Sequence, residues 1–320
     1  MKCGQSEKCL RVLNNIPHDD FEMPEEAFTF IDAGSFGKVY KHQDSVTNST
    51  VAIKVSKVQS KELTCGLLRE IMIHKTLDSP HIVRYVGAHE SKYPPKHHIV
   101  MEYMENKSLE KKLSEISDMN PGTIPVLKTV KILKYVENIL NGLMYLHCKL
   151  SHQIAHRDLR ADNVLLDADD TAKIADFGAS KCVSEGNNSQ IHSKVGNYLW
   201  LAPEILLDRK DHRGCGGDIW SLGIVILEMV FHQPDYFLKY TQDGRFCVVG
   251  ESKLTQLHKD GNFRKFILKP LFKKITSRDT RTLLNECLVD NVPDRKTSNE
   301  LLHLVQQMRS NRSQSNLLTL

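Results

Sequence analysis

The chain has no Cys-x-x-Cys pair: its eight cysteines, Cys3, Cys9, Cys65, Cys148, Cys182, Cys215, Cys247 and Cys287, are scattered along 320 residues. That scatter argues against a zinc site and predicts reduced thiols in a cytoplasmic protein. Long apolar runs are also missing. The longest uncharged apolar stretch, Ile219 to Leu227, is far short of the ~20 residues that cross a bilayer, and predicts a core helix with no membrane partner. Met1 to Asp20 is mixed and polar, without a signal-peptide pattern. Met1-Lys2 does not fit N-myristoylation, and Leu317-Leu318-Thr319-Leu320 offers no prenylation cysteine. Neither sign of charge dominates: 43 Lys and Arg against 39 Asp and Glu leave a formal +4, too little to predict nucleic-acid binding. No internal repeat is present. With 40% apolar and 26% charged residues, the composition is that of an ordinary soluble globular protein with a full core, in one large domain or two lobes.

Against that plain background, a few segments are rich in chemistry. His156-Arg157-Asp158-Leu159-Arg160-Ala161-Asp162-Asn163, followed by Asp176-Phe177-Gly178, supplies a carboxylate for a hydroxyl proton and two oxygen ligands, Asn163 and Asp176, for hard cations on a triphosphate. Upstream, Ile31-Asp32-Ala33-Gly34-Ser35-Phe36-Gly37-Lys38-Val39 reads as two strands joined by a glycine-bearing turn, where missing Cβ atoms would let backbone N–H groups approach a phosphate. A plain hairpin explains that turn as well. Val51-Ala52-Ile53-Lys54-Val55 is an apolar strand with one charge in its middle, and a lysine there needs a partner if buried. Glu70, in a segment whose apolar residues recur at helical spacing as far as Leu77, supplies one. Singly, Lys54 and Glu70 read equally well as an ordinary strand lysine and a solvated helix glutamate. The order in which all these parts occur gives them weight together.

Periodicity divides the chain at about Tyr103 to Lys107. From Phe28 to Tyr103, short β-branched and aromatic runs alternate with turn residues (Gln43 to Ser49; Tyr93-Pro94-Pro95-Lys96), interrupted by the helix of Glu70. From Leu109 onward helices dominate, with Ile132, Val136, Ile139, Leu140 and Leu143 forming one stripe that ends near His147. The predicted fold is α+β: a small antiparallel sheet lobe with one helix (24–103) and a larger, mainly helical lobe (108–308). Residues 1–23 form an N-terminal extension and 309–320 a polar tail.

The motif set resembles a eukaryotic-type protein kinase from about Phe28 to about Met308. Ala202-Pro203-Glu204, Asp218-Ile219-Trp220-Ser221-Leu222-Gly223 and Arg295 in Pro293-Asp294-Arg295 extend the match. The resemblance implies ATP and Mg2+ as cofactors and protein substrates as partners. It implies that Lys54, ion-paired with Glu70, holds the α- and β-phosphates, and that Asp158 is the catalytic base, with Arg160 supplying positive charge for the transferring group. Asn163 and Asp176 would bind metal. Ile31, Gly34, Ser35, Gly37, Val39, Ala52 and the segment Met101, Glu102 and Met104 would contact the nucleotide, with Met101 screening a back pocket. Arg295 would pair with Glu204 to anchor a peptide-docking platform.

Several positions depart from the pattern. Asp32 stands where a glycine is usual, with solvent exposure as the simpler reading of its charge. His74 replaces an aliphatic residue under the Glu70 helix, and Asn197 a threonine in Gly196-Asn197-Tyr198-Leu199-Trp200. Arg160 replaces a lysine and is similar to some tyrosine kinases, whereas Asp176 to Lys181, Trp200 before Ala202-Pro203-Glu204, and the Asp218 segment resemble Ser/Thr enzymes of the MAP kinase kinase kinase-like and tyrosine-kinase-like groups. The expected activity is Ser/Thr phosphorylation. Dual-specificity or tyrosine activity is the alternative, and a pseudokinase scaffold a further one, although none of Lys54, Asp158 and Asp176 is missing. A small-molecule kinase fits less well because of Glu204 and Arg295. Ser180, Ser184, Ser189 and especially Ser193 are candidates for an activating phosphate, with Arg157 to receive it. The basic stretch Arg264, Lys265, Lys269, Lys273, Lys274, Arg278 and Arg281 reads first as a solvated face and second as a dock for acidic partners.

Overall fold

The computed structural model of the chain describes residues 28–34, 37–43, 49–57, 61–92, 95–183, 198–208, 214–232, 239–242, 245–248 and 250–317. They form two units, one running to Glu105 and taking in Ala175–Ser180, the other made of Asn106–Ile174 and the chain from Lys181 on.

The first unit is built on a five-stranded sheet in which every pairing is antiparallel, in the order β1-β2-β3-β5-β4. Its strands are β1 (Thr29–Gly34), β2 (Gly37–Gln43), β3 (Thr50–Lys57), β4 (Tyr85–Lys92) and β5 (Pro95–Glu102). Pro95 and Lys96, expected in a turn, instead open β5 opposite Lys92 and Lys57. Proline is tolerated at such a first strand position, where its missing N–H costs least. The β1–β2 turn needs a glycine at its second end: Gly37 has φ +152°, and a Cβ there would lie 2.3 Å from the Val55 carbonyl oxygen. Central β3 is β-branched and apolar because both its neighbours and its covering helix exclude water, and Val51 to Val55 are all buried, Lys54 included.

Helix α1 (Lys61–His74) covers the sheet by packing Leu68 and Ile71 on Ile99. Burying each such side chain stabilises by about 1.5–3 kcal/mol. The helical spacing extends to Leu77 in the sequence, but the helix stops at His74. There the backbone tightens into Thr76 N–H to Ile73 O and Leu77 N–H to His74 O bonds, and Leu77 is buried from outside the helix.

The second unit is mainly helical. Ser108 caps α2 (Leu109–Met119), its hydroxyl accepting from Lys111 N–H. In α3 (Thr129–Met144) the stripe Ile132, Val136, Ile139, Leu140 and Leu143 is buried. Two short antiparallel pairs follow: β6 (Gln153–Ala155) with β9 (Lys181–Val183), and between them in the chain the hairpin of β7 (Val164–Leu166) with β8 (Ala172–Ile174). A single turn, α4 (Pro203–Leu206), precedes α5 (Gly214–Phe231). The last is largely apolar, and by length and composition could cross a membrane, but 89% of it is buried inside the protein. It is the core against which α8 (Arg278–Cys287) packs, after α6 (Glu251–Lys259) and α7 (Lys269–Lys274); α9 (Ser298–Leu317) closes on α3.

Candidate active site

Register places the chemistry of the first unit on one face of its sheet. Val39 pairs across β2–β3 with Lys54, Lys54 with Ile99, and Ala52 with Met101. Cross-strand partners share a face and alternate residues return to it. Val39, Ala52, Lys54 and Met101 therefore line one surface. Ile31 falls at a register shift between Phe30 and Asp32, and Gly34 pairs with Gly37 at the strand ends. Glu102 is fixed by an exchange with Arg84: its N–H donates to the Arg84 carbonyl at 3.0 Å and its side chain accepts the Arg84 N–H at 2.7 Å. Met104, just beyond, is buried. Asp32 is exposed, with its carboxylate on the Ala33 N–H at 2.7 Å. Ser35 lies outside the described residues.

The buried Lys54 ammonium donates to Glu70 Oε1 at 2.7 Å and to Asp176 Oδ1 at 3.0 Å. Burial alone would lower the lysine's pKa, but the two carboxylates outweigh it and hold Lys54 protonated well above its usual value. One ammonium shared by two carboxylates leaves a negative surplus, and burial, joined by the charge of Asp176, raises the Glu70 carboxyl against the pull of Lys54. Asp176 is the more open of the two acids, with 27% of its side chain exposed. Its backbone is left-handed at φ +63°. Gly178 follows because a Cβ there would sit 3.2 Å from Asp176 Oδ1 and 3.3 Å from Glu70 Oε2. Under this triad His74 lies with Phe177 (ring centroids 5.0 Å) and Tyr85, its Nε2 2.6 Å from the Val83 carbonyl. Burial lowers its pKa, so it is neutral and donates that hydrogen bond. Substituting an imidazole for an aliphatic side chain thus ties α1 to the backbone ahead of β4.

In the second unit, Asp158 lies between β6 and β7. Asn163 Nδ2 donates both to its carbonyl at 2.7 Å and to its Oδ2 at 3.0 Å, so one amide holds the Asp158 backbone and carboxylate together. The preceding backbone is held from α5: Asp218 accepts the N–H groups of His156 and Arg157, each at 2.8 Å, and faces His147 Nε2 at 2.9 Å. Arg157 takes φ +69° in this clamp. Burial would raise the Asp218 pKa, but His147 and the backbone donors outweigh it and keep the carboxylate ionised. Sequence reading placed Asp218 only at the start of a buried helix and missed its grip on the Asp158 segment. Nothing in the spacing of residues so far apart could signal it.

Arg160 turns to Asp162, donating through Nε at 2.7 Å and also through Nη2, and its guanidinium stacks on Trp200 with 5.0 Å to the ring centroid. Beside them Glu228 of α5 accepts from Trp200 Nε1 at 3.0 Å and Ala161 N–H at 3.3 Å. Burial pushes its carboxyl up to about 8. These side chains, with Glu110, Leu113 and His232, line a cavity of about 190 Å³.

Arg295 binds Glu204 bidentately, at 2.8 and 2.9 Å, and also donates to the carbonyls of Gly216 and Val289. Both partners are buried, so this fork fixes α4 to the start of α5 and the turn before α9. Ser180 is buried, with its N–H on the Phe177 carbonyl at 3.0 Å. Ser184, Ser189, Ser193 and Asn197 lie outside the described residues.

Among the described residues no cluster of three or more His, Cys, Asp or Glu is grouped to hold a metal. The oxygens present still suit magnesium, a hard cation that takes one or two protein ligands and completes its shell with phosphates and water. Asp176 is partly open and carries the surplus charge of its triad, and Asn163 offers an amide oxygen.

A family profile described as "Protein kinase domain" matches residues 26–305. The chain is 31% identical over 301 residues to "Serine/threonine-protein kinase hippo" of Drosophila melanogaster, covering 91% of this chain and 42% of that one. It is 36% identical over 222 residues to "Serine/threonine-protein kinase pakF" of Dictyostelium discoideum, covering 68% of this chain and 17% of that one. The chain therefore spans less than half the length of either relative.

Proposed function

The chain belongs to the protein kinase family, and from that premise we propose that it transfers the γ-phosphoryl group of ATP to Ser and Thr hydroxyls of protein substrates. The observation that carries this reading is the buried Lys54 ammonium joined both to Glu70 and to the partly open Asp176, which leaves a cation and a metal-suited carboxylate side by side. Both named relatives are Ser/Thr kinases, which favours the aliphatic hydroxyls of Ser and Thr over the phenol of tyrosine. Arg160, expected to supply positive charge to the transferring group, is paired with Asp162 and stacked on Trp200.

In this reading the first unit binds phosphates through Lys54 and metal through Asp176, and the second presents Asp158 to the acceptor hydroxyl and Asn163 to metal. When bound, Mg2+ supplies charge neutralisation on the phosphates. Asp158 orients the hydroxyl and takes its proton; little more covalent chemistry is asked of the protein, so placement matters most. An activating phosphate at Ser193, received by Arg157, belongs to the same reading. The grouping with MAP kinase kinase kinase-like enzymes is part of it too, supported by Asp176–Lys181 and Trp200.

Incubation with γ-labelled ATP, Mg2+ and a mixed peptide library, followed by acid hydrolysis, tests the proposal. Phosphoserine and phosphothreonine are expected, and phosphotyrosine alone overturns the acceptor class. Asp158→Asn is expected to lose most turnover with nucleotide affinity largely retained; a near-normal rate defeats the assignment.

A further inference from the structure

Between residues 261 and 277 the chain carries five cations, Arg264, Lys265, Lys269, Lys273 and Lys274, and no carboxylate. Burial fixes where they point. Phe263, Ile267, Leu271 and Ile275, four apart, are buried and form the inner stripe of the π-turn 264–268 and of α7. The five cations and Phe266, which is 48% exposed, lie on the outer side.

Among the described residues none of the four lysines pairs with an acid; Lys265 lies over the Phe266 ring, and Arg264 binds the neutral Asn285 amide and faces the Phe272 ring. Of the flanking acids, Asp279 is paired with Arg312 at 2.6 Å, and Asp260 accepts from the neutral Gln256 amide and is ion-paired with none of the five cations. Elsewhere in the same unit cations gather on carboxylates. Lys112, Lys131 and Lys134 all converge on Asp170, and Lys296 meets Glu286. A like-charged surface left bare costs self-repulsion, which a complementary partner relieves.

We propose that this outer face, residues 264–274, docks an acidic polypeptide segment that lays an apolar side chain on Phe266. The proposal rests on the kinase reading for the identity of that polypeptide, a protein substrate. Continuity argues for a polypeptide: α4, at the end of the Ala202-Pro203-Glu204 platform, packs against α6, which leads into the basic run. A lipid surface would be poorly held by one exposed phenylalanine on so short a segment, and a single-stranded nucleic acid calls for several stacking rings. Alternating carboxylates can meet cations spaced four apart while one side chain covers the ring. Each exposed pair contributes little alone, so the group acts together.

The test uses the full chain and a fluorescent peptide of mixed Asp and Glu with one central Leu, read by anisotropy. An Asn/Gln counterpart, phosphatidylcholine vesicles containing phosphatidylserine, and oligothymidylate are run beside it. The acidic peptide is expected to bind, to weaken as added salt shortens the Debye length from ~8 Å to ~3 Å, and to lose about tenfold or more in affinity in the Lys265→Glu/Lys269→Glu/Lys273→Glu variant. Phe266→Ser is expected to weaken binding without changing its salt dependence. If the charge-reversed protein does not fold, the Gln triple variant is read instead. Undiminished binding by a folded variant overturns the proposal, as does equal binding of the amide peptide, or tighter binding of vesicles or oligonucleotide. Turnover of a short uncharged Ser/Thr peptide is measured separately. Unchanged turnover in the triple variant supports a docking role, whereas a parent without turnover fails the kinase reading and leaves the binding result to be judged on its own.

Discussion

Asp218 and Glu228 stand on the same helix, α5, both buried, and their carboxyl groups are driven in opposite directions. Burial is the largest influence on each and opposes ionisation in both. Asp218 overcomes it because His147 and the N–H groups of His156 and Arg157 converge on it. Among the described residues Glu228 receives the indole of Trp200 and the Ala161 N–H, with Arg160 turned to Asp162, so it stays protonated until about pH 8. Depth in a core therefore does not fix a carboxyl's charge; the donors that reach it do. The one that is ionised holds the Asp158 segment, and the one that is neutral props the ring behind Arg160.

The comparison is broken most severely by Asp218→Ala. Three donors lose their acceptor, and breaking such a buried constellation is expected to cost about 3–5 kcal/mol in urea unfolding, with turnover falling further than stability explains because the backbone of His156 and Arg157 is released. Loss of stability without any loss of turnover in the folded fraction would contradict the clamp.

His147→Phe removes one of those donors. An expected loss of about 1–3 kcal/mol should come with an acid-unfolding midpoint shifted to higher pH. The sign follows from the lowered pKa of Asp218: its stabilisation is present above the usual value of 3.8 and is lost as pH falls through the folded value. Weakening the donors moves that loss upward.

Glu228→Gln sharpens the contrast. A folded pKa raised from 4.5 to about 8 means that the parent loses stability as pH rises through that window, since the folded state keeps a proton that the unfolded state has released. The amide has no proton to lose, so the part of the decline between pH 5 and 8 that Glu228 contributes is expected to be missing from the variant's denaturant midpoints, which differ from the parent's by roughly 1 kcal/mol at the acid end. An equally steep decline in the variant would show that Glu228 is ionised.

His74→Leu, in the other unit, has the smallest expected effect, about 1 kcal/mol, because packing is retained and one hydrogen bond to Val83 is lost. The lowered pKa of His74 makes the parent lose stability as pH falls below 6.5, where the unfolded imidazole takes up protons first. The leucine variant is expected to lack that slope in pH-dependent unfolding.

Local pattern made much of the small sheet unit readable. Alternation and β-branching mark β3, glycine spacing marks the β1–β2 turn, and helical spacing marks α1 up to its last turn. The end at His74 was not readable, because Leu77 is buried from a tightened turn and keeps the apolar period without the helix. Pro95 looked like a turn residue since its chemistry excludes only a ladder donor, which a first strand position does not need. Lys54, Glu70 and Asp176 in the first unit, and Asp158 and Asn163 in the second, stand out as residue types suited to phosphoryl chemistry. Asp218, His147 and Glu228 did not, because a carboxyl in an apolar helix looks the same in sequence whether it grips a backbone or keeps its proton.

The amino-acid order alone determined which groups could bind phosphate, metal and a hydroxyl proton, because those roles follow from functional-group chemistry and short spacing. Tertiary structure alone decided that Lys54 bridges Glu70 and Asp176, that Arg160 lies on Trp200, and that the cations of 264–274 meet no acid among the described residues. Charge state and partnership depend on which distant donors share a low-dielectric volume, and only folding brings them together.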